Sequence, residues 1–332
     1  MANEFSEERG GINRPSEQAG QLVSDTTSRR PLAIRPRLWL HLWTLPRWFA
    51  LPIAVLGVLL GGLMDAGSQS TAMRLALVVL SAGLVMAWAH AMNAFLDYTW
   101  TKLDRGEGRS RSKPYTGGQQ PLADGLVTEW EVLSNALSWF ALSIIPVVML
   151  SHQGYGWLWL FWAVGALCTF AYSWGKLHWL CETVLAIGFG LVPVMMGAAV
   201  TDHPNYVHAG LVSIPFGLLF GFAAEIVDQH YDAEGNWDKG LRNIGAWCWK
   251  AKRHVGIVTG LFVGLAVVAH ALLVIGGILS PLTFFALIAI VPGVAVLPIM
   301  PLGSSRVIMV GLGSIFAYCV ALVALQAVAV RF

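Results

Sequence analysis

Apolar residues run along this chain in uninterrupted stretches. Nine of them, roughly 47–65, 73–96, 130–151, 155–174, 178–200, 207–229, 253–278, 281–299 and 307–330, are long enough to cross the ~30 Å of hydrocarbon in a bilayer. The first begins either at 47 or near Leu38 with a bend at Pro46. Since helices satisfy their own backbone in lipid, the pattern predicts an all-α membrane protein with nine transmembrane helices around a central cavity. Residues 1–36 are polar, carry no apolar run, and are expected to form a disordered tail ahead of a membrane domain over 37–332. Between the apolar runs, two polar stretches of about 104–129 and 231–252 are longer than simple connectors, and loops of more than ~12 residues tend to carry function.

Composition agrees. The chain of 332 residues is 56% hydrophobic and 12% charged, with a mean hydropathy of +0.62, outside the range of a soluble domain. The net charge of +2 says little about partners, and none is expected among nucleic acids; the distribution of charge says more. With nine spans, 19 of the 21 Lys and Arg residues fall on the side of the N-terminus, and only Arg74 and Arg331 on the other. The positive-inside rule then predicts a cytoplasmic N-terminus, an outside C-terminus and residence in the inner (plasma) membrane, with the polar loops facing the cytoplasm. The four cysteines lie in or beside spans without metal-type spacing and read as packing residues.

Two acid clusters close the second and sixth spans. Asn93, Asp97 and Asp104 lie in NAFLDYTWTKLD, and Glu225, Asp228 and Asp232 in EIVDQHYD. At ~100° per residue each set falls on one helix face, within about 40° and 60° respectively. A carboxylate deep in a bilayer costs roughly 2.5–3.5 kcal/mol, so a group of them implies hard cations with oxygen ligands. Mg²⁺ takes one or two carboxylates together with substrate phosphates. Each cluster feeds a basic loop: Arg105, Arg109, Arg111 and Lys113 before Tyr115–Gly118 in the first, Lys239 and Arg242 in the second. Such groups receive phosphate oxygens. Two Mg²⁺ would offset four aspartates, and the basic residues of the loops would meet the roughly −3 of a diphosphate. The chemistry this supports is ionisation of an allylic diphosphate beside an apolar, aromatic-lined cavity that shields the carbocation.

With these motifs the chain resembles the UbiA-type intramembrane prenyltransferases over about 40–330, which carry two aspartate-rich motifs on spans two and six. Asn93, Asp97 and Asp104 match the first motif, with a long gap before its last aspartate; Asp228 and Asp232 match the second. AYSWGKLHWLCETVLAIGFG, with Tyr172, Lys176 and Glu182, is similar to the segment joining spans four and five, where a lysine faces the diphosphate. The YTGG loop and the KGLRN run resemble the dihydroxynaphthoate (menaquinone-type) branch. Ala94 replaces a second acid found in many members, and AEGNWDKG is about three residues longer than usual. The resemblance implies Mg²⁺-dependent transfer of a polyprenyl group from its diphosphate to an aromatic, quinone-precursor-like acceptor. Asp97, Asp104, Asp228, Asp232 and Asn93 would hold two ions. Lys176, Arg109, Lys113, Tyr115, Arg242, Lys239, Tyr172 and Glu182 would bind substrate. A membrane terpene cyclase using the same site, and a secondary transporter, are the competing readings.

Overall fold

The computed structural model describes residues 38–47, 50–64, 71–105, 121–302 and 305–331. The 1–36 tail and the loop residues Arg109, Lys113 and Tyr115 lie outside them. Helices follow in the order α1 (Leu51–Gly62), α2 (Thr71–Thr99), α3 (Glu129–Ser151), α4 (Leu158–Gly175), α5 (Cys181–Ala198), α6 (Tyr206–Asn236), α7 (Ile244–Lys250), α8 (Val255–Ile275), α9 (Pro281–Met300) and α10 (Ser305–Arg331). Eight of these described helices are long and apolar enough to span a membrane; the short α7 is not, and α1, with 12 residues, is shorter than a full crossing. The first expected span is therefore represented by a short helix. Ahead of it the chain makes one wide turn at Leu40–Thr44, and Arg47 takes a left-handed conformation with a φ of 50°.

Local sequence explains where helices start. α3 opens on Thr128-Glu-Trp-Glu, a reciprocal capping box: Glu131 N–H donates to Thr128 Oγ1 at 3.2 Å, and Thr128 N–H donates to Glu131 Oε2 at 2.7 Å. Asn205 and Asn243 cap α6 and α7, accepting from His208 N–H and Ala246 N–H. Proline shapes two other spans. α5 widens into a π-helical stretch at Ala186–Leu191 just before Pro193, and α6 does so at Gly217–Ala224 just after Pro215. Proline lacks the N–H for a regular α ladder, and an i→i+5 turn re-aims the residues beyond it. By contrast Pro146 sits inside the unbroken α3.

The helices meet along seams without side chains. In α1, Gly57 and Gly61 are four residues apart and face α5; a Cβ on Gly61 would lie 1.9 Å from the Val194 carbonyl, and one on Gly197 2.0 Å from that of Val58. This is small-xxx-small packing. The two π stretches meet likewise, with Gly190 against Gly217 and Gly221 against Ala186. Between these seams six helices (α1, α2, α4, α5, α6 and α10) surround one cavity of about 510 Å³, while α3, α8 and α9 contribute nothing to its wall.

Replacing Gly61 or Gly197 with valine is expected to part α1 from α5. Overpacking costs about 1–3 kcal/mol, and a collision with backbone leaves little room to relax. Thermal unfolding in detergent should show a lowered midpoint for both variants, whereas Gly210→Ala, with no atom within 4 Å of the new Cβ, should leave it unchanged or raise it.

Candidate active site

At one end of the cavity the polar side chains gather. The end of α2 carries Asn93 and Asp97, and the turn after α4 carries Lys176, all buried. Lys176 Nζ donates to Asp97 Oδ2 at 2.5 Å and lies 3.5 Å from Asn93 Oδ1. Ser173 Oγ donates to Asn93 Oδ1 at 2.9 Å, and Thr101 Oγ1 reaches Asp97 Oδ1 at 3.4 Å. The ammonium also stands 4.5 Å from the centre of the Tyr172 ring. Burial disfavours the Lys176 charge, but Asp97 more than offsets it and holds the ammonium above its ordinary range.

The second cluster arrives from α6. The π stretch ends at Ala224, and Glu225 and Asp228 follow on the cavity wall with Asn93 and Tyr172. Tyr172 lies within electrostatic reach of both Asp97 and Asp228, and Asp104 feels the charges of both Asp97 and Asp232. The two acid clusters, more than 120 residues apart in sequence, thus share one site. Burial, then the charge of Asp97, pushes the Asp104 carboxyl up to about 6, against the pull of Lys176 and Arg47.

Other expected residues are placed differently. Glu182 does not line the cavity; its buried carboxylate accepts Ile244 N–H at 2.7 Å and so anchors the start of α7. Arg242 is tied within its own loop: its guanidinium donates to the carbonyls of Trp237 and Leu241, at 2.9 and 2.8 Å, and packs 4.3 Å over the Trp237 ring. Its backbone joins that of the turn after α4, Arg242 N–H to Lys176 O at 2.7 Å and Trp179 N–H to Arg242 O at 3.0 Å. Lys239 Nζ donates to the carbonyls of Leu103 and Arg105, at 3.0 and 2.7 Å. It links the two polar loops. Arg105 turns onto Tyr98 and Glu129.

Arg47 was not foreseen. It lines both the main cavity, with His90 and Asn93, and a neighbouring depression with Asp104 and Tyr98. Its signal in the sequence was a proline-arginine step opening an apolar run, indistinguishable from a positive-inside arginine. His90 lines the cavity too, facing the Phe189 ring at 6.5 Å.

Among the described residues no three His, Cys, Asp or Glu side chains close around a single point. The donor set nonetheless suits Mg²⁺, which keeps waters and takes phosphate oxygens besides one or two carboxylates. Beyond this end the wall is apolar and partly aromatic, including Trp162, Phe189, Phe220 and Phe316. Trp162 is fixed by its indole N–H to Ser143 Oγ at 3.0 Å.

The sequence profile of the UbiA prenyltransferase family matches residues 54–301. The chain belongs to the UbiA prenyltransferase family. It is therefore an enzyme of the prenyltransferase class and an integral, multi-pass membrane protein. Solved structures share its fold at low identity. A UbiA homolog from Aeropyrum pernix K1 superposes with a TM-score of 0.62 at 17% identity, covering 86% of this chain and 98% of its own. A digeranylgeranylglyceryl phosphate synthase gives 0.58 at 16%, covering 90% and 99%. A UbiA homolog from Archaeoglobus fulgidus, bound to DMAPP and Mg²⁺, gives 0.56 at 17%, covering 86% and 99%. No curated protein sequence matches this prenyltransferase.

Removing one partner of a buried ion pair costs about 3–5 kcal/mol, whereas replacing both with apolar residues is often neutral. Lys176→Met alone should therefore lower the unfolding midpoint sharply, and Lys176→Met with Asp97→Leu should recover most of the loss. A double-mutant cycle on thermal unfolding in detergent measures the coupling; additive effects would exclude it.

Proposed function

We propose that this prenyltransferase carries out Mg²⁺-dependent transfer of a polyprenyl group from an allylic diphosphate to an aromatic acceptor, with release of diphosphate. The observation that carries this reading is the convergence of two aspartate clusters and a buried lysine at the polar end of an apolar, aromatic-walled cavity. The DMAPP and Mg²⁺ held by the fold relative from Archaeoglobus fulgidus support it. In this assignment nine spans cross the membrane with the N-terminus in the cytoplasm, α1 and the segment before it making the first.

Asp97, Asp104, Asp228 and Asp232 would hold two Mg²⁺, with Asn93 assisting. Bound there, Mg²⁺ neutralises the negative charge that builds on the leaving diphosphate. Lys176 adds a fixed positive charge at the same place, and Ser173 keeps Asn93 oriented toward it. Arg47 adds a guanidinium charge that, like the Lys176 ammonium, acts on Asp104. Tyr172, Trp162, Phe189 and Phe220 offer π faces to the allylic cation, and the apolar wall keeps water from capturing it. Arg109, Lys113 and Tyr115, outside the described residues, remain candidates for binding the diphosphate. Lys239 and Arg242, given their carbonyl partners, support the loops rather than meet substrate.

Purified protein with geranylgeranyl diphosphate and Mg²⁺ should form a prenylated product with one of hydroxybenzoate, dihydroxynaphthoate or homogentisate. The YTGG loop and the KGLRN run favour dihydroxynaphthoate. A hydrocarbon or terpene alcohol formed without any acceptor would instead establish a cyclase. Asp97→Ala and Asp228→Ala should each lower turnover by about 10²-fold or more, as expected when several kcal/mol of charge stabilisation are lost; full Mg²⁺-dependent turnover in both rejects the assignment.

A pH dependence follows from Asp104. A carboxyl must lose its proton to take a cation, and this one titrates at about 6. Apparent Mg²⁺ affinity should thus be full above that pH and fall as pH drops through it. Mg²⁺-dependent protection against thermal unfolding, followed from pH 5 to 7.5, measures this, and Asp104→Asn should flatten the profile.

A further inference from the structure

Glu225 is a carboxylate with two unlike oxygens. Oε1 accepts three hydrogen bonds: from Tyr172 Oη at 2.8 Å, from Gln229 Nε2 at 2.7 Å and from Cys181 Sγ at 3.2 Å. Among the described residues no hydrogen bond falls on Oε2, although the side chain forms part of the cavity wall. The clamp is itself braced. Asn243 Nδ2 donates to Gln229 Oε1 at 3.1 Å, and Asn243 Oδ1 caps α7 through Ala246 N–H at 2.8 Å. A path of fixed side chains therefore runs from the polar loop to one oxygen of Glu225 and leaves the other for a ligand.

Its depth narrows what that ligand is. α6 runs toward the polar end, so Glu225, three residues before Asp228, sits about 4.5 Å deeper in the cavity at 1.5 Å per residue. The diphosphate belongs with Lys176 at the polar end, and an anion would be repelled by a second carboxylate placed against it. A group that donates a proton fits Oε2; a phosphate does not.

We propose that Glu225 is a catalytic residue that takes the hydroxyl proton of the aromatic acceptor, a role that rests on the prenyl-transfer reading above. As the ring carbon forms its bond to the allylic C1, the C1–O bond breaks and its electron pair leaves with the diphosphate. The hydroxyl proton passes to Glu225 Oε2, giving a neutral dienone. The ring proton then passes to the departing diphosphate, Glu225 returns its proton to the oxygen, and the ring is aromatic again. One proton is released overall. The acceptor class this selects is a hydroxyl-bearing ring with a free carbon beside or opposite that hydroxyl.

The test uses full-length protein in detergent, geranylgeranyl diphosphate and the acceptor that the wild type prenylates. Glu225→Gln preserves shape and can still accept at Oε1. It should keep Mg²⁺-dependent binding of an unreactive geranylgeranyl thiolodiphosphate while kcat falls about 10²–10⁴-fold, the usual weight of a positioned acid or base. Glu225→Ala should lose a similar factor and regain part of it with added formate, which a packing defect would not allow. A wild-type rate in Glu225→Gln overturns the role. So does a loss of thiolodiphosphate binding as complete as in Asp228→Asn, which would make Glu225 part of the metal site. Should the wild type release diphosphate without any acceptor, the prenyl-transfer reading fails, and this role falls with it.

Discussion

The buried pair of Lys176 and Asp97 is the constraint around which the polar end of the bundle is arranged. Neither charge is tolerable there alone, so the end of α2 and the turn after α4 must dock in one register. That register fixes Asn93 through Ser173 and Lys176 together, and sets the Tyr172 ring against the ammonium. The same turn receives the loop before α7 through backbone bonds at Lys176 and Trp179. Through that loop the second acid cluster is held in place beside the first. A low-dielectric surrounding makes unpaired polar groups costly, and here that cost selects one arrangement of four separate chain segments.

The cavity depends on a second, quite different constraint. Lipid offers no hydrophobic drive for helices to associate, so close contact has to come from shape. Gly61, Gly197, Gly190 and Gly221 let backbones meet where any side chain would collide. The tight seams on either side leave the larger residues between them, such as Trp162, Phe189 and Met196, to face inward around open space. The apolar volume is thus what remains after the glycine contacts are made.

Much of this was readable in advance. The spans came from uninterrupted apolar runs, which register and packing cannot disguise, and α2 through α10 fall where those runs lie, α7 apart. Asp97 and Asp228 could be paired because intramembrane acids are too expensive to be incidental. The partners of polar residues were harder. Glu182 stands in a segment whose resemblance implies substrate contact, yet its carboxylate anchors α7 by accepting Ile244 N–H, a partner 62 residues away that the sequence does not reveal. Arg47 was hidden among basic residues that merely mark a membrane side, and only its left-handed turn brings it to the cavity. The π stretches before Pro193 and after Pro215 likewise have no compositional signature, since an extra residue in a turn changes phase and not hydropathy.

Lys239 joins two loops that sequence alone would treat as independent. Its ammonium holds the carbonyls of Leu103 and Arg105, 136 and 134 residues away in sequence. Two stretches that the chain keeps far apart are thereby pinned through one side chain, so a displacement of either at this point acts on the other.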